Sequence, residues 1–329
     1  KFTTLYHLIF VVKIKNIMRV SILGNGLTSL ALAQMLANMG IRVDIFSNKR
    51  IIKYKKIQTL GISKTNIDFF NQNILNIKKL LWNINKIEIF TENLNDEKVI
   101  DFDDHNKRLF SIIRNSDLYK ILNDNLKRNK LVKFKEKINF FNSIREDYKL
   151  IFNCDYNHPI SKFFFYKKFD KEYNSLAYVT TFKHKKQSNN HSASQIFTKH
   201  GPLAFLPVSS IETSVVYSVK GKKNINLEEL IKRYNKKYKI LSINNFFCFE
   251  LKSSNLRSYY YQNVIAFGDM LHRLHPLAGQ GFNMTIRDIQ EIYKLINFKK
   301  EHGLDLDTSI AKDFEKNTKN KNFLFSNGI

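Results

Sequence analysis

Apolar residues change their spacing twice in the first readable stretch of this chain. Arg19 to Leu23, "RVSIL", is a short and almost continuous apolar run, the pattern of a strand covered on both faces. Beyond Gly24 and Gly26 the apolar positions move to Leu27, Leu30, Ala31, Met35 and Met39. That spacing of three and four predicts a helix, which Gly40 stops. "IRVDIF" follows with Ile41, Val43 and Ile45 alternating, which predicts a second strand. Strand, turn, helix and strand within about 30 residues make a βαβ unit.

Further along, "KIEIFTEN" and "KVIDF" read as short strands between 84 and 110, and Leu118, Ile121, Leu122 and Leu126 mark a helix over Ser116–Leu126. "KLIFNCD" is a buried strand ending at Asp155. Residues 175–220 read as antiparallel strands, with "ETSVVYSV" the clearest and the polar "HKKQSNNH" between two of them. Asn226 to Lys239 predicts a surface helix opened by Asn226 and Glu229 in capping-box positions. Val264 to Phe267 is another continuous apolar strand, and Ile286, Ile289, Tyr293 and Ile296 mark the buried stripe of the helix after it. There are no internal repeats.

Composition changes this picture little. The 54 Lys and Arg against 29 Asp and Glu give a formal charge of +25, which raises nucleic acid or an acidic membrane as partners. The lysines are scattered among many Asn, Ile and Phe, the mixture that AT-rich coding produces, so no nucleic-acid partner is expected and an anionic membrane surface is kept. Cys154 and Cys248 have no CxxC partner, so neither a metal site nor a disulfide is expected, in keeping with a reduced cytoplasmic setting. No apolar run reaches the roughly 20 residues that span a bilayer; Leu8 to Val12 is far shorter. The first methionine, Met18, stands directly before the first strand, so residues 1–17 read as an upstream, non-native extension.

The candidate chemistry lies at the strand ends. Gly24 permits a tight turn, Gly26 lets the backbone approach a pyrophosphate, and Ser29 is small enough to replace a third glycine; the helix start offers N–H groups to an anion. The ribose-binding carboxylate expected at the end of the second strand is missing, and Ser47 stands there. Gly268 and Asp269 fall at the C-terminal end of the later strand, the edge where ligands bind in open α/β sheets. Pro276, Gly279 and Gly281 then form a loop that delivers amides at a helix start.

"GDMLHRLHPLAGQGFNMTIRD", Gly268 to Asp288, resembles the second FAD motif of single-component flavin aromatic monooxygenases, specifically the ubiquinone-biosynthesis hydroxylase family. "FTKHGPLAFLPV", Phe197 to Val208, resembles that family's substrate-domain signature, and "TLGIS" (59–63) and "NCD" (153–155) fall in the family's order. The resemblance runs from Met18 to the end. It implies an α/β fold: a Rossmann-like FAD-binding domain with a parallel sheet (18–83, 109–165 and 255–329), interleaved with a smaller, mainly antiparallel substrate domain (84–108 and 166–254). It implies that Gly24, Gly26 and Ser29 hold the pyrophosphate and that Gly268 and Asp269 meet the ribityl and phosphate region. Pro276, Gly279, Gln280, Gly281 and Asn283 would lie along the flavin ring, and Asp155 would serve FAD and NAD(P)H. The implied reaction uses NAD(P)H to reduce the flavin and O2 to hydroxylate a prenylated phenol, with no metal. The implied setting is cytoplasmic and peripheral on the membrane's inner face, near other ubiquinone-synthesis proteins.

Departures qualify the mapping. Besides Ser47, Tyr156 replaces a glycine after Asp155, Ser116 stands where an arginine is common, and Met270 and Leu271 fill positions that are usually small. One lost charge-assisted hydrogen bond is worth about 1.5–3 kcal/mol, roughly one to two decades of FAD affinity. His272 and His275 are the weak candidates for a general base, and Asp288 reads as a helix-packing or solvent contact. The family continues with further C-terminal helices, so the chain reads as a fragment. Two alternatives stay open: a related flavoenzyme such as a prenyl-lipid reductase, which would not be expected to carry "GPLAFLP", and a non-catalytic remnant with a basic lipid-binding surface.

Overall fold

The computed structural model describes residues 18–47, 54, 57–92, 97–103, 108–136, 147–221, 225–273 and 280–327. The chain opens with β1 (Arg19–Leu23), α1 (Leu27–Asn38) and β2 (Arg42–Ser47), then β3 (Thr59–Ser63), α2 (Lys64–Asn73) and β4 (Trp82–Ile84). A hairpin of β5 (Lys86–Thr91) and β6 (Glu97–Asp103) leads to β7 (Phe110–Arg114), α3 (Asn115–Arg128), β8 (Val132–Glu136), β9 (Leu150–Asn153) and α4 (Pro159–Phe164). Next come β10 (Lys168–His184), β11 (Ser192–Thr198), β12 (Gly201–Pro207), β13 (Glu212–Lys220), α5 (Leu227–Tyr234), β14 (Ile240–Ile243) and β15 (Phe247–Leu256). The described chain closes with β16 (Tyr260–Tyr261), β17 (Val264–Ala266), β18 (His272–Arg273), α6 (Gln280–Glu301) and α7 (Ser309–Asn327).

Six strands form a sheet in the order β16-β17-β9-β1-β2-β8, parallel except for β16 on β17. Val20, Ile22, Val43, Ile45, Ile151 and Phe152 are all fully buried, as in a parallel sheet covered on both faces. Of α1's twelve residues, ten are buried, so it is a core helix rather than a surface one. The C-terminal strand ends are held level by backbone bonds: Gly24 N to Phe46 O (2.8 Å), Cys154 N to Leu23 O (2.9 Å) and Phe267 N to Asn153 O (2.9 Å). That common edge is where the glycine turn, Asp155 and Asp269 emerge.

Among the described residues the second sheet has nine strands, β18-β15-β10-β13-β12-β11-β5-β6 with β14 on β10, and only β5 on β11 runs parallel. The expected combination of parallel and mainly antiparallel sheets is therefore present, although the antiparallel sheet has more strands than the parallel one. The 17-residue β10 is the reason, since β13, β14 and β15 all pair along it. β3, β7 and β4 form a small third sheet in the order β3-β7-β4. The helix expected over Asn226–Lys239 stops at Tyr234. Asn226 does cap it, accepting from Glu229 N at 3.2 Å. Asn235 ends it by accepting from Tyr238 N and donating to Tyr238 O (2.8 and 2.7 Å), which folds the chain into a turn.

Candidate active site

Gly24 adopts φ +106°, and a Cβ there would lie 3.3 Å from Ser29 Oγ and 3.4 Å from Asp155. The turn thus brings Gly24, Ser29 and Asp155 together, and only glycine fits it without strain. Asp155 shapes its own loop: its amide donates to Asn153 Oδ1 (3.1 Å) and its Oδ1 accepts from Asn157 N (2.9 Å). Gly26 caps α1 without a side-chain bond, and a Cβ on it would meet only Tyr54 Oη, at 3.7 Å. The Leu27 amide donates to the same Tyr54 hydroxyl at 3.3 Å, whose pKa burial pushes up to about 12. The Tyr54 hydroxyl therefore occupies the place at the start of α1 where an anion would meet the helix amides. Ser47 is half-buried at the end of β2.

Gly268 takes φ +64°, and a Cβ would come within 2.5 Å of Thr28 Cγ2, so this glycine lets the end of β17 close against the start of α1. Asp269 follows in a single 3-10 turn, Gly268–Met270. The residue is exposed at its surface, while protein atoms packed around the carboxyl crowd out part of its water. That desolvation raises its pKa against the pull of the His272 and Arg273 cations. Gln280 and Gly281 open α6; Gln280 Oε1 is buried with no partner among the described residues, and a Cβ on Gly281 would meet nothing within 4 Å.

Asn283 is tied to protein. It donates to Gly61 O (2.7 Å), and its Oδ1 accepts from Ser63 N (3.0 Å) and Asn66 Nδ2 (2.7 Å), locking α6 to β3 and α2. His272 is fully buried with Nε2 2.5 Å from Asp288 Oδ2, so its ring faces the core. Asp288 is 1% exposed and also accepts from Asn322 Nδ2 at 3.2 Å; it is a packing contact and makes none with solvent. His275, Pro276 and Gly279 lie outside the described residues, as do residues 1–17.

Beside this cleft, a cavity of about 550 Å³ separates β3 and β7 from the nine-stranded sheet. Leu60, Phe110, Ile112, Val179, Leu206 and Val216 supply much of its apolar wall, and Gln58, Thr59, Asn115 and Cys248 are its polar members. A second recess of about 700 Å³ shares Ile57 and Phe247 with it but carries Arg114, Asp117, Lys183 and Glu212. In that recess Arg114, two residues before Ser116, clamps Glu212 with two bonds of 3.1 and 2.8 Å, a pair with no signal in the local pattern. The ion pair holds the Glu212 pKa down against burial.

The fold is that of FAD-dependent monooxygenases. PqsL of Pseudomonas aeruginosa, in its complex with 2-aminobenzoylacetate, superposes with TM-score 0.71 over 95% of this chain and 94% of its own, at 15% identity. The p-nitrophenol 4-monooxygenase PnpA of Pseudomonas putida DLL-E4 gives 0.70 over 94% and 89%, at 13% identity. CtdE, solved with FAD and a substrate, gives 0.67 over 91% and 84%, at 13% identity. No protein-family model matches the chain. By sequence it is distantly homologous to ubiquinone-biosynthesis monooxygenases. The 3-demethoxyubiquinol 3-hydroxylase of Escherichia coli is 26% identical over 145 residues, 41% of this chain and 37% of that protein. The ubiquinone hydroxylase UbiL of Rhodospirillum rubrum is 27% identical over 143 residues, 40% and 33% of the two chains. A 58-residue stretch is 34% identical to the ubiquinone biosynthesis monooxygenase COQ6 of Schizosaccharomyces pombe, covering 12% of that protein. The matches thus span well under half of these relatives.

Proposed function

We propose that this chain is an FAD-dependent monooxygenase that hydroxylates the ring of a prenylated phenol in ubiquinone biosynthesis, drawing on NAD(P)H and O2. The observation that carries the reading is the apolar cavity of about 550 Å³ set directly against β3, which Asn283 ties to the start of α6. Leu206, from the "GPLAFLP" strand β12, forms part of its wall, which favours a hydroxylase over a prenyl-lipid reductase.

The residues fit FAD. The glycine turn at Gly24, the Asp269 carboxylate, the unpartnered Gln280 Oε1 and the free space at Gly281 suit a pyrophosphate at one end and a flat polar ring at the other, and Tyr54 Oη, which meets the Leu27 amide, would have to yield to the pyrophosphate. When bound, the flavin supplies the electron transfer and oxygen activation that side chains lack. The chain's own part is to orient the phenol against apolar walls and keep water away. Among the described residues no imidazole or carboxylate lines the apolar cavity. The adjoining charged recess serves as its vestibule. No described helix is long and apolar enough to cross a membrane, and a peripheral position on an anionic cytoplasmic surface gives access to a lipid substrate.

The purified chain should show a bound-flavin absorption spectrum. Incubated with a prenylated phenol, NAD(P)H and oxygen, it should give a product heavier by one oxygen atom. A colourless chain that takes up no added FAD overturns the reading, and a product with a saturated prenyl double bond points to the reductase.

A further inference from the structure

The missing carboxylate at Ser47 leaves the adenosine end of the cleft without its expected anchor. Strand order shows where that end must lie. The glycine turn after β1 fixes the pyrophosphate, while Asp269, β17 and α6 stand on one side of it and β2 and β8 on the other. A dinucleotide with its flavin toward α6 therefore runs its adenosine over the ends of β2 and β8. Ser47 is the last residue of β2, and in the parallel register its direct neighbour is Glu136, the last residue of β8.

In-register residues on adjacent parallel strands point to the same face, about 4.8 Å apart. Glu136 is exposed at the same C-terminal edge. The other carboxylate on these two strands, Asp44, is unsuited: it sits three residues back, is 3% exposed, and accepts from Arg19 Nε (3.0 Å) and Tyr148 Oη (2.5 Å), with Lys135 Nζ at 2.8 Å. We propose that Glu136 takes over the ribose-binding role from the neighbouring strand, so that the acid has moved across one strand spacing. This rests on the reading of the cleft as an FAD site.

The test measures FAD and FMN affinity of the full chain by flavin fluorescence. FMN is the control because it lacks the adenosine half. Glu136→Gln should weaken FAD binding by about 10- to 100-fold, the loss of one charged hydrogen bond, and leave FMN binding unchanged. Ser47→Glu placed in the Glu136→Gln chain should restore FAD binding, because it returns the acid to the adjacent position. Unchanged FAD affinity in Glu136→Gln, or an equal loss for FMN, overturns this assignment and leaves the cofactor reading standing. A wild-type chain that binds neither flavin overturns the cofactor reading and this assignment with it.

Discussion

Replacing Asp288 by alanine removes the carboxylate that meets His272 Nε2 at 2.5 Å. The two side chains are 0% and 1% exposed, so water cannot take its place. His272 Nδ1 has no partner among the described residues, and Asn322 loses its acceptor as well. Breaking one side of a buried pair costs about 3–5 kcal/mol, a large share of the roughly 5–15 kcal/mol that keeps a protein folded. At about 2–4 °C per kcal/mol, the unfolding midpoint followed by circular dichroism should fall by roughly 6–20 °C. The pH dependence supplies a sign. Burial alone would lower the His272 pKa, but Asp288 outweighs it and the net shift is upward. A raised histidine pKa gives stability that is complete below the unfolded value of about 6.5 and is lost as pH rises through the folded value. Wild-type stability should therefore decline above pH ~6.5, and Asp288→Asn, which keeps the shape without the charge, should follow a flatter curve over that window. A midpoint drop smaller than about 2 °C in Asp288→Ala, or an unchanged pH slope in Asp288→Asn, would refute the pairing as a stabilising contact.

Asp269→Ala removes the cleft's carboxylate and should leave the purified chain without flavin; a wild-type flavin-to-protein absorbance ratio would contradict the site. Asn283→Ala takes their side-chain partner from the Gly61 carbonyl and the Ser63 amide and leaves Asn66 Nδ2 only the Asn283 backbone carbonyl at 3.1 Å, which should cost about 1–3 kcal/mol. Hydrogen exchange over 61–66 should quicken, and unchanged protection would show that α6 is held by other contacts. With anionic vesicles the chain should co-sediment at 0.1 M salt and release at 1 M, as the screening length falls from about 10 to 3 Å; equal binding to neutral vesicles would leave the +25 charge without that role.

What could be read from the sequence was what local chemistry dictates. The unit β1–α1–β2 and the strand β17 show in their periodicity, and Gly24 and Gly268 are demanded by backbone angles that other residues resist. The order of the nine-stranded sheet could not be read, because β5 pairs with β11 and β10 with β15, far apart along the chain and with no register signal. The same distance hid the clamp between Arg114 and Glu212, 98 positions apart. Asp288 did carry a signal. It lies four residues before Ile292 and three after Thr285, on α6's buried stripe, and an aspartate there needs a partner. The tie between Asn283 and β3 had none, since its partners are largely backbone atoms more than 200 residues away.

The neutral, apolar lining of the cavity between β3 and the large sheet sets how well it can discriminate. Walls of Leu60, Ile112, Val179 and Val216 tell related compounds apart by bulk, and one methylene more or less is worth only about 1–3 kcal/mol, roughly 10- to 200-fold. A site rich in fixed donors rejects a compound lacking the matching group far more sharply. On the proposed reading, Gln58, Thr59 and Asn115 would meet ring substituents, and among the described lining residues no polar group is placed to count the units of a long tail. On that reading, tail length is therefore discriminated only by this modest factor, and the relative concentration of homologues at the cavity mouth weighs as much as the fit.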